Sequence, residues 1–216
     1  MNSRTNVLGH AIRCALIAGT AGLMAAPAMV RLDSRTNCVP PVMVGTTMAQ
    51  EVLRLPIATD FDSFDPDNAF EMDGLAAINN VYEGLVEYVP GSAEIRGLLA
   101  KSWEVSEDGL TYTFHLVEGA SFHDGTPFDA EAVKTSFERR RDSELILSYF
   151  LWNLKDIQAT DEYTVVMTLG MPQPSLLDSL ASPWGPKVIS PKALADNGGG
   201  KAAGAWLDTN AAGTGP

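Results

Sequence analysis

Cysteine is nearly absent from this chain. Its 216 residues hold two, Cys14 and Cys38, and a cut after Ala49 would remove both, so disulfides are no part of the expected fold even if the protein is exported. Neither stands in a lipid-attachment context, because Ile12-Arg13 and Thr36-Asn37 precede them rather than small apolar residues. Histidine is nearly as sparse, with three, and His115 with His123 falls short of the three or four convergent ligands of a metal centre, so no metal is expected. Basic residues are outnumbered, 15 against 27 acidic, and setting aside the four basic and one acidic residues before Gln50 leaves 11 against 26, a balance of −15. Such a surface repels phosphate backbones and anionic headgroups, which excludes nucleic acid as a partner. Long apolar runs are missing too. The one candidate, Cys14 to Val30, is 17 residues long and interrupted by Gly19, Gly22 and Pro27, whereas a membrane-spanning helix needs about 20.

That run is flanked by Arg4 and Arg13 and ends in Ala26-Pro-Ala28, the pattern of a secretory signal peptide. A second candidate cleavage point follows Thr47-Met-Ala49, so residues 1–49 read as a leader. Beyond it, Val52 to Ala58 alternates like a half-buried strand, with Pro56 confining it to an edge or an end. An acidic loop follows, containing Asp60, Asp62, Asp65, Asp67, Glu71 and Asp73. Turn formation and capping account for its carboxylates, and solvated loops are commonly acidic, so neither an acid–base pair nor a calcium loop is read from it. Leu75, Ile78, Tyr82 and Leu85 then fall at helical spacing, with Asp73 as the expected cap.

Two turn signals, Asp108-Gly109 and Glu118-Gly119, bracket a strand in which Tyr112, Phe114 and Leu116 alternate with Thr111, Thr113 and His115. Asp129 is placed to cap a helix whose Phe128 and Val133 form a staple and whose Phe137 continues the apolar stripe. Arg139, Arg140 and Arg141 close that helix, where cations suit the carboxyl end of the dipole. Ile157-Gln-Ala159 and Tyr163 to Leu169 read as two further strands, and Ser190-Pro191 opens a short helix that stops at Asn197-Gly-Gly-Gly200, a flexible surface loop. The expected class is α/β with antiparallel strand pairs. Lys201 after the glycines is no phosphate loop, since Ala195 stands where the first glycine belongs and Ala202 where Ser or Thr is required.

The stretch Ala100 to Asp129 closely resembles the signature of the bacterial peptide/nickel solute-binding proteins of ABC importers, family 5. Ser63-Phe-Asp-Pro66, Val81-Tyr-Glu-Gly-Leu85, Phe137-Glu-Arg139, Ser190-Pro-Lys-Ala-Leu194 and Gly213-Thr-Gly-Pro216 occur in the family's order. Val117, where a basic residue is usual, and Pro56 depart from the pattern. The resemblance implies a type II periplasmic-binding-protein architecture. Residues 50–74 and 187–216 would belong to a first lobe, residues 75–186 to a smaller inserted lobe, and a second large lobe would lie beyond this sequence.

It further implies a periplasmic receptor, monomeric when full length, that needs no cofactor. Such a receptor captures a peptide or related small solute and passes it to a permease served by a separate ATPase. The implied ligand-binding positions are Phe70, Glu71, Met72 and Asp73, then Tyr149, Phe150 and Trp152, then Trp184 and Lys187. Alternatives are a secreted hydrolase, for which no Ser-His-Asp constellation follows from spacing, or a binding and signalling module on the same fold.

Overall fold

The computed structural model describes residues 63–216. The expected leader, the strand at Val52 to Ala58, Asp60 and Asp62 lie outside the described residues. Among those described, no helix is long and apolar enough to cross a membrane.

Helix α1 (Met72–Val81) follows the acidic loop. A two-stranded ribbon pairs β1 (Val86–Tyr88) with β2 (Ile95–Gly97), and neither strand stands out in the sequence. A four-stranded antiparallel sheet is ordered β3 (Ala100–Val105), β4 (Thr111–Leu116), β6 (Thr164–Leu169), β5 (Leu154–Asp161). Strand β4 buries Tyr112, Phe114 and Leu116 and leaves Thr111, Thr113 and His115 half-exposed, the alternation its sequence predicts. Strands β5 and β6 occupy the two predicted segments, with β5 longer at both ends.

Helix α2 (Ala130–Asp142) packs on the inner face of this sheet through Val133 and Phe137, both fully buried. Its cap is the predicted one, since the Asp129 carboxylate accepts the Ala132 amide at 2.8 Å. After a 3-10 turn at Ser148–Leu151 and strands β5 and β6, helix α3 (Leu176–Ala181) leads into α4 (Pro191–Asp196). The Ser190 hydroxyl accepts the Ala193 amide at 3.1 Å, as a Ser-Pro start requires. The glycine loop is more ordered than its composition implies. It continues into a 3-10 turn at Gly200–Ala203 and α5 (Gly204–Leu207), and Arg139 Nε donates to the Gly200 carbonyl at 2.9 Å.

Two apolar clusters form. The larger lies between the sheet, α2 and α3; the smaller joins Ala69, Ile78 and Tyr82 to Ile189, Leu194, Leu207 and Ala212. Three predicted details change. Glu71, not Asp73, holds the N-cap position of α1, and Asp73 lies in its first turn. The helix ends at Val81, so Tyr82 and Leu85 are buried beyond it rather than on its stripe. Asp65 and Asp67 are not solvated, each being 1% exposed. They are drawn inside by arginines of α2, because a buried carboxylate survives only when paired and hydrogen-bonded.

Candidate binding site

The Ser63-Phe-Asp-Pro66 turn organises itself first. Asp65 N donates to the Ser63 hydroxyl and Asp67 N to Asp65 Oδ1, both at 3.0 Å, the local bonding that makes Asp a turn former. This leaves both carboxylates facing Arg139. Its Nη2 lies 2.6 Å from Asp65 Oδ2 and its Nη1 2.9 Å from Asp65 Oδ1, and Nη1 also donates to Asp67. Burial alone would lower the Arg139 pKa, but the bonds from Asp65 and the charge of Asp67 carry it above the usual value. Burial pushes Asp67 up, and Arg140 and Arg139 hold it back.

Arg140 is wholly buried and serves a different neighbourhood. Its Nη2 donates to the Trp184 carbonyl at 2.5 Å and its Nε to the Leu147 carbonyl at 3.2 Å; its guanidinium carbon lies 5.5 Å from the centre of the Phe150 ring. One cation thus ties the segment before Lys187 to the turn carrying Tyr149, Phe150 and Trp152. The Leu147 amide in turn donates to the Asp67 carbonyl at 3.2 Å, anchoring that turn to the acidic loop.

Aromatic rings stand on this frame. Trp184 Nε1 donates to the Phe70 carbonyl at 3.2 Å, and the two rings are 5.9 Å apart, tilted by 32°. Tyr149 and Phe150 are 4.6 Å apart. Phe70, Met72, Tyr149 and Trp152 are all more than half exposed. Exposed apolar side chains mark a surface that a ligand or partner covers when they gather into a contiguous patch. Lys187 is half-buried, and burial, then the nearby Arg140 charge, lowers its pKa to about 8 against the pull of Glu87 and Glu83.

The structure therefore brings together Phe70 with Trp184, and Tyr149 with Phe150, and links the two pairs to each other through Arg140. Glu71, Met72 and Asp73 sit at the start of α1 beside Phe70. Trp152 is exposed and joined to Tyr149 by a backbone bond, Trp152 N to Tyr149 O at 3.3 Å. Sequence reasoning missed Arg140, assigning it to the helix dipole. The signal was present, since Val133, Phe137 and Arg140 follow an i, i+4, i+7 spacing that continues the buried stripe.

The remaining candidates are structural. His123 Nε2 lies 2.7 Å from the Gly215 carbonyl, and His115 Nε2 is 3.9 Å from Glu104 on the adjoining strand. An open groove of about 360 Å³ between α2 and α4, lined by Thr135, Glu138, Leu194 and Gly199 among others, contains none of the predicted binding residues.

Residues 94–216 match the family model of bacterial extracellular solute-binding proteins, family 5 Middle. The chain belongs to this family. Family 5 is a solute-binding family, and relatives share the fold described above. A probable D,D-dipeptide-binding periplasmic protein, DdpA of Escherichia coli strain K12, is 37% identical over 195 residues, 88% of this chain and 37% of the relative. The glutathione-binding protein GsiB of the same strain is 34% identical over 71% of this chain and 30% of its own length. Among solved structures, the periplasmic binding protein DppA of Helicobacter pylori, in complex with the peptide STSA, superposes with a TM-score of 0.62. It is 34% identical over 73% of this chain and 34% of that protein. NikZ of Campylobacter jejuni, in complex with Ni(L-His), gives 0.63 at 29% identity, over 73% of this chain and 30% of that one. The chain spans about a third of the length of these family 5 relatives.

Proposed function

We propose that this chain is the amino-terminal portion of an extracytoplasmic receptor that captures a peptide or related small solute and delivers it to an ABC permease. The receptor itself performs no chemistry. The observation that carries this reading is the aromatic face of exposed Phe70, Tyr149 and Trp152 with half-buried Trp184, fastened to a buried charged frame rather than to loops of its own. Ligand sites are typically apolar and aromatic surfaces with a few fixed polar groups, held by a rigid support.

In this reading residues 50–74 and 187–216 belong to the first lobe and residues 75–186 to the inserted one. The separate apolar cluster of Ala69 with Ile189 to Ala212 supports that division, with the qualification that Ile78 and Tyr82 of the α1 region pack on the first-lobe side. A second lobe supplied by the rest of the protein closes over the aromatic face. Ligand contacts with both lobes favour the closed arrangement by their differential free energy, and closure is what the permease reads. The receptor works in the periplasm, reached through a leader over residues 1–49.

The test is titration of the full-length gene product with D-alanyl-D-alanine, glutathione, Ser-Thr-Ser-Ala and a mixed-sequence tripeptide pool, followed by tryptophan fluorescence and calorimetry. Saturable binding to at least one, weakened tenfold or more by Trp184→Ala, is the expected result. Absence of binding to all of them would remove the reading.

A further inference from the structure

Two buried arginines follow one another on α2, and only the first is fully engaged by carboxylates. Arg139 makes a two-pronged pair with Asp65 and also donates to Asp67. Arg140 is 0% exposed, yet its Nε lies 3.6 Å from Asp67 Oδ1, beyond hydrogen-bond reach, and its Nη1 has no hydrogen-bond partner among the described residues. A buried guanidinium with a donor left over costs stability, which an apolar side chain of similar volume would not. What Arg140 does hold is backbone from two other segments. One rigid plane donates from Nη2 to the Trp184 carbonyl at 2.5 Å and from Nε to the Leu147 carbonyl at 3.2 Å, and its central carbon stands over the Phe150 ring, 5.5 Å from the centre. The Leu147 carbonyl also accepts the Phe150 amide at 3.2 Å, the bond that opens the 3-10 turn. On the other side, the Trp184 indole donates to the Phe70 carbonyl at 3.2 Å. Arg140 is therefore the element shared by both aromatic pairs.

We propose that Arg140 is a positioning residue for solute capture: without touching the solute, it sets the separation of the Phe70–Trp184 pair from the Tyr149–Phe150 pair and makes the two respond as one surface. The inference rests on the solute-capture reading and adds the residue that tunes it. Geometry, more than charge, is the reason. A guanidinium presents its donors in a fixed plane, so two carbonyls bound by it keep one relative placement, and the same plane stacks on an aromatic ring. A lysine ammonium carries the same charge as a point on a flexible stem and reproduces neither. Loosening a contact surface by about 1 Å is enough to spoil a site that depends on both halves. A disturbance at Phe150 is accordingly felt at Trp184, through the guanidinium between them.

Hydrogen exchange and solute affinity are measured on the full-length protein for wild type, Arg140→Lys, Phe150→Leu and Phe114→Leu. Phe114 is a core residue of β4, so its replacement destabilises the protein without touching the aromatic face. The exchange reporters, read without solute, are the Trp184 indole N–H and the amides of Phe150 and Trp152. The solutes are Ser-Thr-Ser-Ala, D-alanyl-D-alanine and glutathione. Arg140→Lys is expected to lose protection at the indole and at both amides together, and to bind about tenfold more weakly, the equivalent of about 1.4 kcal/mol. Phe150→Leu, which leaves every buried charge in place, is expected to speed exchange of the Trp184 indole as well as of its own turn. Phe114→Leu lowers the urea midpoint and keeps wild-type affinity. Wild-type affinity in Arg140→Lys, loosening confined to one of the two segments, or an equal loss of affinity in Phe114→Leu overturns the proposal and leaves solute capture standing. Should Arg140→Lys not fold, Phe150→Leu decides, and a Trp184 indole that exchanges as in wild type overturns the coupling. Failure of wild type to bind any of the solutes removes the capture reading, and this proposal with it.

Discussion

Arg139 and Asp65, 74 positions apart in sequence, meet in a two-pronged pair with donor–acceptor distances of 2.6 and 2.9 Å, in a site almost closed to water. The pair fastens the Ser-Phe-Asp-Pro turn to the last turn of α2. Removing Arg139 leaves the buried Asp65 without its guanidinium, and removing Asp65 leaves the buried Arg139 with Asp67 only; breaking a buried pair in this way costs about 3–5 kcal/mol. Asp65→Ala or Arg139→Ala should therefore lower the urea midpoint by that equivalent. The double replacement should cost less than the sum of the two, and an additive double-mutant cycle would contradict the pairing.

Gly213 and Gly215 press against the end of α1. A Cβ built on Gly213 would lie 2.0 Å from the Val81 carbonyl oxygen, and one on Gly215 2.4 Å from the Asn80 carbonyl oxygen. Backbone cannot yield as a flexible side chain can, so Gly213→Ala should destabilise by about 2 kcal/mol or more. Gly91→Ala, whose Cβ meets nothing within 4 Å, serves as the control: it should cost only the backbone strain of a positive φ, about 1 kcal/mol. Thermal denaturation of the two variants side by side separates collision from strain.

Glu144 adopts φ of 53° just past the end of α2, the one described non-glycine residue in the left-handed region. Glycine is the residue that position favours. Glu144→Gly should stabilise the protein by about 1 kcal/mol, seen as a rise of a few degrees in melting temperature without change in solute affinity.

Lys187 imposes a pH dependence on stability whose sign follows from its lowered pKa. Below about pH 8 the lysine is charged in both folded and unfolded chains, and the folded state bears the full cost of burying it beside Arg140. From about pH 8 to its unfolded value near 10.5 the folded chain sheds the proton first, so stability rises with pH through that window. Lys187→Met should flatten this rise and raise stability at pH 7, by an amount that solvent screening of a half-buried charge reduces. Urea titrations of both proteins at pH 7, 8, 9 and 10 would show it, and an unchanged slope would refute it.

The family words legible in the sequence turn out to hold the scaffold, and the proposed binding face lies between them. Val81 to Leu85 receives Gly213 to Pro216 through the Gly215 amide to the Val81 carbonyl at 3.0 Å, and Asp124 accepts the Ser190 hydroxyl. Turn chemistry, caps and strand alternation are local, so Asp129, Ser190 and strand β4 could be assigned from neighbouring residues. The ribbon of β1 and β2 was not, because three-residue strands carry too little alternation to register.

Composition and local pattern alone settled the class of this protein: an acidic α/β chain carrying the ordered signature of a solute-binding family, with no cysteine among the described residues. Only the tertiary structure decided that Asp65 and Asp67 lie inside, that Arg139 and Arg140 part company on one helix turn, and that Lys187 is half-buried. Charges on distant segments announce their sign in the sequence but not their partners. Pairing depends on which surfaces the fold removes from water.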